Sequence, residues 1–301
     1  MISFRKVFVS IALNFALTWQ VFGLDCAPLE FADPVSSPVE YSHGLLWRVE
    51  SQSGAQSYLY GTIHLSDPRV TDVANPIQTK IRASQRFVME VVLDSNALTT
   101  MSQAMVLPAG ETLGDIVGSD LLLGSATLLG RYGLAGAAVN RLKPWAAYIT
   151  LALPPDRSGM PLDLVLSEIA RRSDVETFGL ERIEDQIEIF DSLPISIQVG
   201  LLSSAVCHYD TISSEMEGLI KSYLASDLAS MMNTALRYRS AEIDRLMEAV
   251  LWRRNRTMAD SMVPYLELGD AFIAVGALHL PGADGILDLL VRRGYIVAAV
   301  D

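Results

Sequence analysis

Two short stretches of the 301-residue sequence have the make-up of a site rather than of a core. "GTIH" at 61–64 and "GALH" at 276–279 each follow an apolar run with a glycine, two small or apolar residues and a histidine, so that two of only four histidines, His64 and His279, share one setting. A glycine three residues ahead of an imidazole lets the backbone bend or another element come close. Glu90 is the matching anomaly among the carboxylates, because it sits inside "RFVMEVVL". A charge in such a run cannot be buried alone and must meet a cation, a network of donors or a metal. Two imidazoles and one carboxylate are a common ligand set for a catalytic divalent metal with open positions, and such an ion lowers the pKa of a bound water towards neutrality. Glu181 in "GLER" is the candidate general base or extra ligand, and Arg254 in "RRNRTM" would orient a substrate carboxylate or an oxyanion.

Each residue also has a plainer reading. Either histidine would serve as a hydrogen-bonded strand-end residue, and Glu90 as half of a salt bridge with an arginine. Glu181 would suit a helix N-terminus, and "RRNRTM" a solvated charge run. His43, in the lead-in, and His208, in an apolar helical segment, are read as incidental.

The elements that must position these residues follow from pattern. "LLWRVES" and "QSYLYGT", either side of Gly54, read as a hairpin, and "RFVMEVVL" as a third strand. Asn75 and Pro76 predict the cap and first turn of a helix over 76–84. From 97 to 153 the pattern is helical with breaks; Pro161 opens a helix, "VETFGLE" is a strand, and 183–267 is helical again, with starts at Pro194 and Asp227. "AFIAVGA", a helix stopped at Gly294 and "YIVAAV" close the chain as a β-α-β unit. The expected fold is therefore α/β: a mixed sheet assembled from both ends of the chain and flanked by helices, with a large helical insertion at about 97–270. Ligands in such sheets bind off the carboxyl ends of strands, where His64, Glu90, Glu181 and His279 all fall.

Arg5 and Lys6 ahead of an apolar run to Val21 predict a secretory signal peptide over 1–23, with an uncleaved anchor as the rival, followed by a Pro-rich lead-in over 24–43 and one domain over 44–301. No run after it is long enough for an internal membrane span; 121–138 reads as buried or half-buried helix because Arg131 and glycines interrupt it. Losing Arg5 and Lys6 takes the formal charge from −12 to −14, which disfavours nucleic acid and anionic membranes as partners. Cys26 and Cys207 would enter an oxidising compartment, periplasmic or extracellular, as an even pair able to form a disulfide, and their spacing suits no zinc site. The chain has no G-x-S-x-G elbow, Walker loop, G-x-G-x-x-G turn or H-E-x-x-H pair.

The motifs taken in order ("YLYGTIHLSDPRV", "FVMEV", "LPAGETLGDIV", "RLKPWAAYITLAL", "PLDLVLSEIARRSDVETFGLERIEDQIEIFDSLP", "RRNRTMADSM" and "VGALHLPGADGILDLLVRRGY") resemble the TraB/GumN family, related to the Tiki metalloproteases and more distantly to erythromycin esterase-like and ChaN-like proteins. The resemblance implies a divalent metal at the paired G-x-x-H motifs, His64 and His279, with Glu90. It also matches Arg254 beside Asn255, Asp163 and Glu181 to family positions, with Arg253 departing where the family is often acidic. It implies a metal-dependent hydrolase, foremost a peptidase acting on a peptide or protein. The alternatives are a non-catalytic binder of peptide, metal or haem, and an accessory factor in polysaccharide or pheromone processes.

Overall fold

The two ends of the chain meet in one sheet. The computed structural model describes residues 19–32, 39–155 and 159–300. Residues 1–18 of the expected signal segment and 33–38 of the lead-in lie outside the described residues. A short antiparallel hairpin comes first, β1 (Trp19–Val21) with β2 (Leu24–Cys26). The main sheet is made of β3 (Leu46–Glu50), β4 (Gln56–Thr62), β5 (Arg86–Met89), β6 (Glu176–Gly179), β7 (Ala271–Gly276) and β8 (Ile296–Ala299), in the order β6-β5-β7-β4-β3-β8. β6, β5, β7 and β4 run parallel, and β3 is antiparallel to both of its neighbours.

β7 sits between two parallel partners, and all six of its residues are buried, which is why it reads as an unbroken apolar run rather than an alternating one. Phe272 on β7 stacks on Phe87 of β5, their ring centroids 6.2 Å apart. From β4 the chain crosses to β5 in one direction and from β7 to β8 in the other. Right-handed crossovers then put the helices Asn75–Ala83 and Ile286–Arg292 on opposite faces. Such a reversal leaves a crevice at the carboxyl ends of the central strands.

Helix starts follow the sequence closely, with one correction. Pro161, Pro194 and Asp227 precede the helices Leu162–Arg172, Ile195–Cys207 and Leu228–Ala235, and Asp227 caps the last by accepting from the Ser230 N–H. Asn75, expected as a cap, is instead the first helical residue. The carbonyl of Ala74 already accepts from the Ile77 and Gln78 N–H groups, so the helix begins one residue early and has no side-chain cap.

The expected insertion is two helical stretches separated by β6, and it has a core of its own. Leu113, Leu121, Leu128, Ala147, Leu202 and Val206 meet there, away from the sheet. The 121–138 segment ends its helix at Leu129 and breaks at Gly133, whose φ of +79° favours glycine. A disulfide between Cys26 and Cys207, with 5.6 Å between their Cα atoms, fastens the hairpin to this layer. Among the described residues no single helix is long and apolar enough to cross a membrane.

Candidate functional site

The order of strands in the sheet is also the order of the candidate groups. Glu181 follows β6, Glu90 follows β5, His279 lies three residues past Gly276 at the end of β7, and His64 lies two residues past the end of β4. Because these four strands are parallel neighbours, their carboxyl ends deliver all four side chains to one rim. The repeated G-x-x-H motif leaves two neighbouring strands one residue out of step, for Gly61 pairs with Val275 and Thr62 with Gly276, and only the second motif continues into a 3-10 turn, Ala277–His279.

Both motif glycines serve close approach. A Cβ on Gly61 would lie 2.9 Å from Leu280 and 3.1 Å from Ala277, in the turn that carries His279. A Cβ on Gly276 would lie 3.3 Å from Glu90 Oε1, 3.3 Å from His279 Cδ2 and 3.6 Å from His64 Nε2. Gly276 therefore leaves the space on which the two histidines and Glu90 converge, and its N–H donates to Glu90 Oε1 at 2.7 Å.

Each imidazole is held from behind through Nδ1. His64 Nδ1 donates to Asp163 Oδ2 at 2.8 Å, and Thr62 donates to the other oxygen of Asp163 at 2.6 Å. Asp163 stands in the first turn of the helix Leu162–Arg172, whose leading N–H bonds Leu65 O. His279 Nδ1 lies 2.6 Å from Asn255 Oδ1, while Asn255 Nδ2 donates to Asp284 O, which fixes the amide as the acceptor. The Nε2 atoms of both rings are thereby the ones turned towards Glu90, that of His279 at 3.7 Å from Glu90 Oε1.

Arg254 spans the carboxylates. Its Nη2 donates to Glu90 Oε2 and to Glu181 Oε2, the latter at 2.7 Å, and its Nε donates to both oxygens of Glu181 at 3.0 and 3.2 Å. Glu181 also accepts from Gln186. Arg254 and Asn255 begin the helix Arg253–Leu268, directly after a π-turn over Glu248–Trp252, the type of wide turn that recurs at functional sites. Arg253, the departure from the family pattern, is exposed.

The electrostatics divide the two histidines. The carboxylate of Asp163 pushes the pKa of His64 up to about 9, whereas burial pushes that of His279 down to about 4. Burial works against the charge of Glu90, but His279, Arg254, His64 and the Gly276 N–H together hold its carboxyl well below the ordinary range. With His279 neutral, Arg254 and the charged His64 are the cations that face Glu90 at neutral pH.

Among the described residues, no three His, Cys, Asp or Glu side chains are gathered closely enough to hold a metal ion as they stand; Arg254 takes one oxygen of Glu90, and its Nη1 lies 3.4 Å from His279 Nε2. The donor set still suits a divalent cation. Two Nε2 atoms face one carboxylate across the space Gly276 leaves, and each ring has its Nδ1–H on an outer oxygen, the arrangement that orients histidine ligands. A cavity of about 710 Å³ opens beside His64, and Tyr223, from the helix Tyr209–Leu224, covers the end of β4 through a bond to Gly61 O at 2.9 Å.

The structure therefore brings His64, Glu90, His279, Glu181 and Arg254 together. It sets His43 and His208 apart, the first 3.8 Å from Asp227 and the second bonded to Ala27 O. Sequence reasoning missed that Thr62 supports Asp163, that Asp163 holds His64 and that Asn255 holds His279. Of these Asn255 and Asp163 left a signal, the first beside Arg254 in the motif and the second at a matched family position, whereas Thr62 left none.

A polar centre at the carboxyl ends of parallel strands, with helices flanking the sheet, defines an α/β protein whose candidate site lies at its topological switch. The model of the TraB/PrgY/gumN family matches residues 45–299, and the chain belongs to that family. Metalloprotease TIKI1 of Danio rerio is 24% identical over 318 residues, covering 87% of this chain and 64% of the relative. Metalloprotease TIKI1 of Homo sapiens is 24% identical, covering 85% of this chain and 61% of its own length, and metalloprotease TIKI2 of Danio rerio is likewise 24% identical, with 85% and 60% covered. The chain thus spans about three-fifths of the length of these relatives. No solved structure matches it significantly.

Proposed function

We infer that the protein is a divalent-metal-dependent hydrolase of peptide bonds, acting outside the cytoplasm in the periplasm or beyond it. The observation that carries the reading is the convergence of His64 Nε2, His279 Nε2 and Glu90 Oε1 on the space beside Gly276. The names of the relatives support the same chemistry, and the Cys26–Cys207 disulfide suits an oxidising compartment. His64, His279 and Glu90 would hold the ion, which supplies a Lewis acid and a water of lowered pKa. Asp163 and Asn255 keep the two rings turned with Nε2 inward. Arg254, anchored by Glu181, presents a guanidinium to developing negative charge on the substrate, and helices of the helical layer line the crevice beside His64.

One observation favours a second reading, a crevice that holds a peptide without turning it over. Glu90 and Glu181 both accept from Arg254, so neither carboxylate stands free as a general base.

The test is turnover of a peptide library by the purified protein after loading with zinc, manganese or cobalt. Cleavage that a chelator abolishes and that Glu90→Gln removes without loss of fold is expected. Cleavage that survives both would overturn the metal-dependent reading, and the absence of cleavage under every loading would favour the binding one.

A further inference from the structure

We propose that the crevice beside His64 is the subsite that reads the substrate's side chains, and that it takes large uncharged, apolar ones. This rests on the functional reading only in that His64 belongs to the reacting centre. The cavity, about 710 Å³, lies within the range of roughly 300–1,000 Å³ typical of ligand pockets. His64 lines it, so an occupant lies directly against the candidate centre. Its apolar walls come from separate elements: Leu65 after β4, Leu151 and Leu153 from the end of the helix Pro144–Leu151, and Met216 and Ile220 from the helix Tyr209–Leu224. Leu153, two residues past the end of that helix, is 36% exposed, an apolar side chain left open to solvent.

Apart from His64 at the inner end, whose Nε2 belongs to the candidate centre, the charged groups among the described residues of the wall are matched to one another. Arg69 donates to Glu217 through Nη1 and Nη2, both at 2.9 Å, and to Asp67 through Nε at 3.0 Å and Nη2 at 2.8 Å. Glu217 also faces Lys221 at 3.8 Å. The guanidinium thus has no fork left for a substrate carboxylate, and its two carboxylate partners are held by it rather than by a substrate cation. A charged side chain entering beside Arg69 and Glu217, away from His64, would lose water without gaining a partner there, whereas an apolar one gains by leaving water.

The experiment uses the full protein and N-phenyl-1-naphthylamine, a neutral apolar fluorophore. Blocked peptides identical but for a central Leu, Phe, Asp or Lys compete with it. Leu153→Lys and Met216→Lys alter two separate elements of the wall. The first changes an exposed residue, so the inference survives a folding failure of the second, and circular dichroism and metal content are followed in both. The probe should bind the wild type, Leu and Phe peptides should displace it at least roughly tenfold better than Asp or Lys peptides, and each variant should weaken probe and Leu peptide by a similar factor. Asp peptides competing as well as Leu peptides, binding unchanged in both variants, or a wild type that binds neither probe nor Leu peptide would each overturn the proposal. Turnover of the same peptides separates the two claims. Selective binding with no cleavage under any metal loading breaks the hydrolase reading and leaves the subsite standing. Cleavage indifferent to the central residue and to both variants breaks the subsite and leaves the hydrolase.

Discussion

The two G-x-x-H ends use the same four-residue pattern on neighbouring parallel strands, yet they produce opposite histidines. The His64 side chain is 58% exposed, backed by a carboxylate and held charged; that of His279 is 7% exposed, backed by an amide and held neutral. The motif fixes where the ring is delivered, and the residue behind Nδ1 together with burial fixes its protonation. A cation held between them would meet one ring ready to ligate and one that must first release a proton, so metal uptake should liberate protons.

The largest expected disturbance comes from the group that balances the buried side. Arg254→Ala leaves Glu90 and Glu181 without their cation and should cost about 3–5 kcal/mol in the metal-free protein, read by urea denaturation. Asp163→Asn at the exposed end should cost clearly less, and equal losses at the two ends would break the contrast. Next is Gly61→Ala, whose added Cβ meets Leu280 and Ala277 at 2.9–3.1 Å and should cost about 1–3 kcal/mol, since the turn carrying His279 must shift.

Exchanging the backing residues sharpens the comparison further. In a nuclear magnetic resonance titration, Asp163→Asn should lower the pKa of His64 from about 9 towards its ordinary 6.5, and Asn255→Asp should raise that of His279 from about 4. If neither moves, the residue behind Nδ1 does not set the protonation.

The smallest effect is on stability against pH in the metal-free protein. His279, depressed in the folded state, contributes stability that is present above about 6.5 and lost as pH falls towards about 4; His64, raised, contributes stability that is present below about 6.5 and lost as pH climbs through about 9. For this pair the optimum lies near 6.5, and the exposed His64 should give the shallower, more salt-sensitive limb. His279→Gln should flatten the acid limb alone.

The strands of the main sheet were legible from their apolar runs, and three members of the cluster because each broke a local rule. Glu90 is a charge in an apolar run, and His64 and His279 follow glycines at strand ends, so the pattern marked them without any knowledge of the sheet. What joins them was not legible, since it depends on strand order: β7 inserts between β4 and β5, and only that insertion brings His279 between His64 and Glu90. The contacts behind the rings were hidden for the same reason. Asp163 reaches His64 across 99 residues, and neither an aspartate in the first turn of a helix nor a threonine beside a strand-end glycine is unusual by itself. The shift of the helix start from Pro76 to Asn75 is of a different kind, a question of which carbonyl accepts first, which composition does not encode.

The most direct measurement is metal content by mass spectrometry of the purified protein after reloading with zinc, manganese or cobalt, alongside His64→Ala and His279→Ala variants of verified fold. The account predicts close to one equivalent of metal in the wild type and its loss in both variants, because the two strand ends hold one ion together. Metal that survives in either variant, or a wild type that takes up none under any loading, would contradict it.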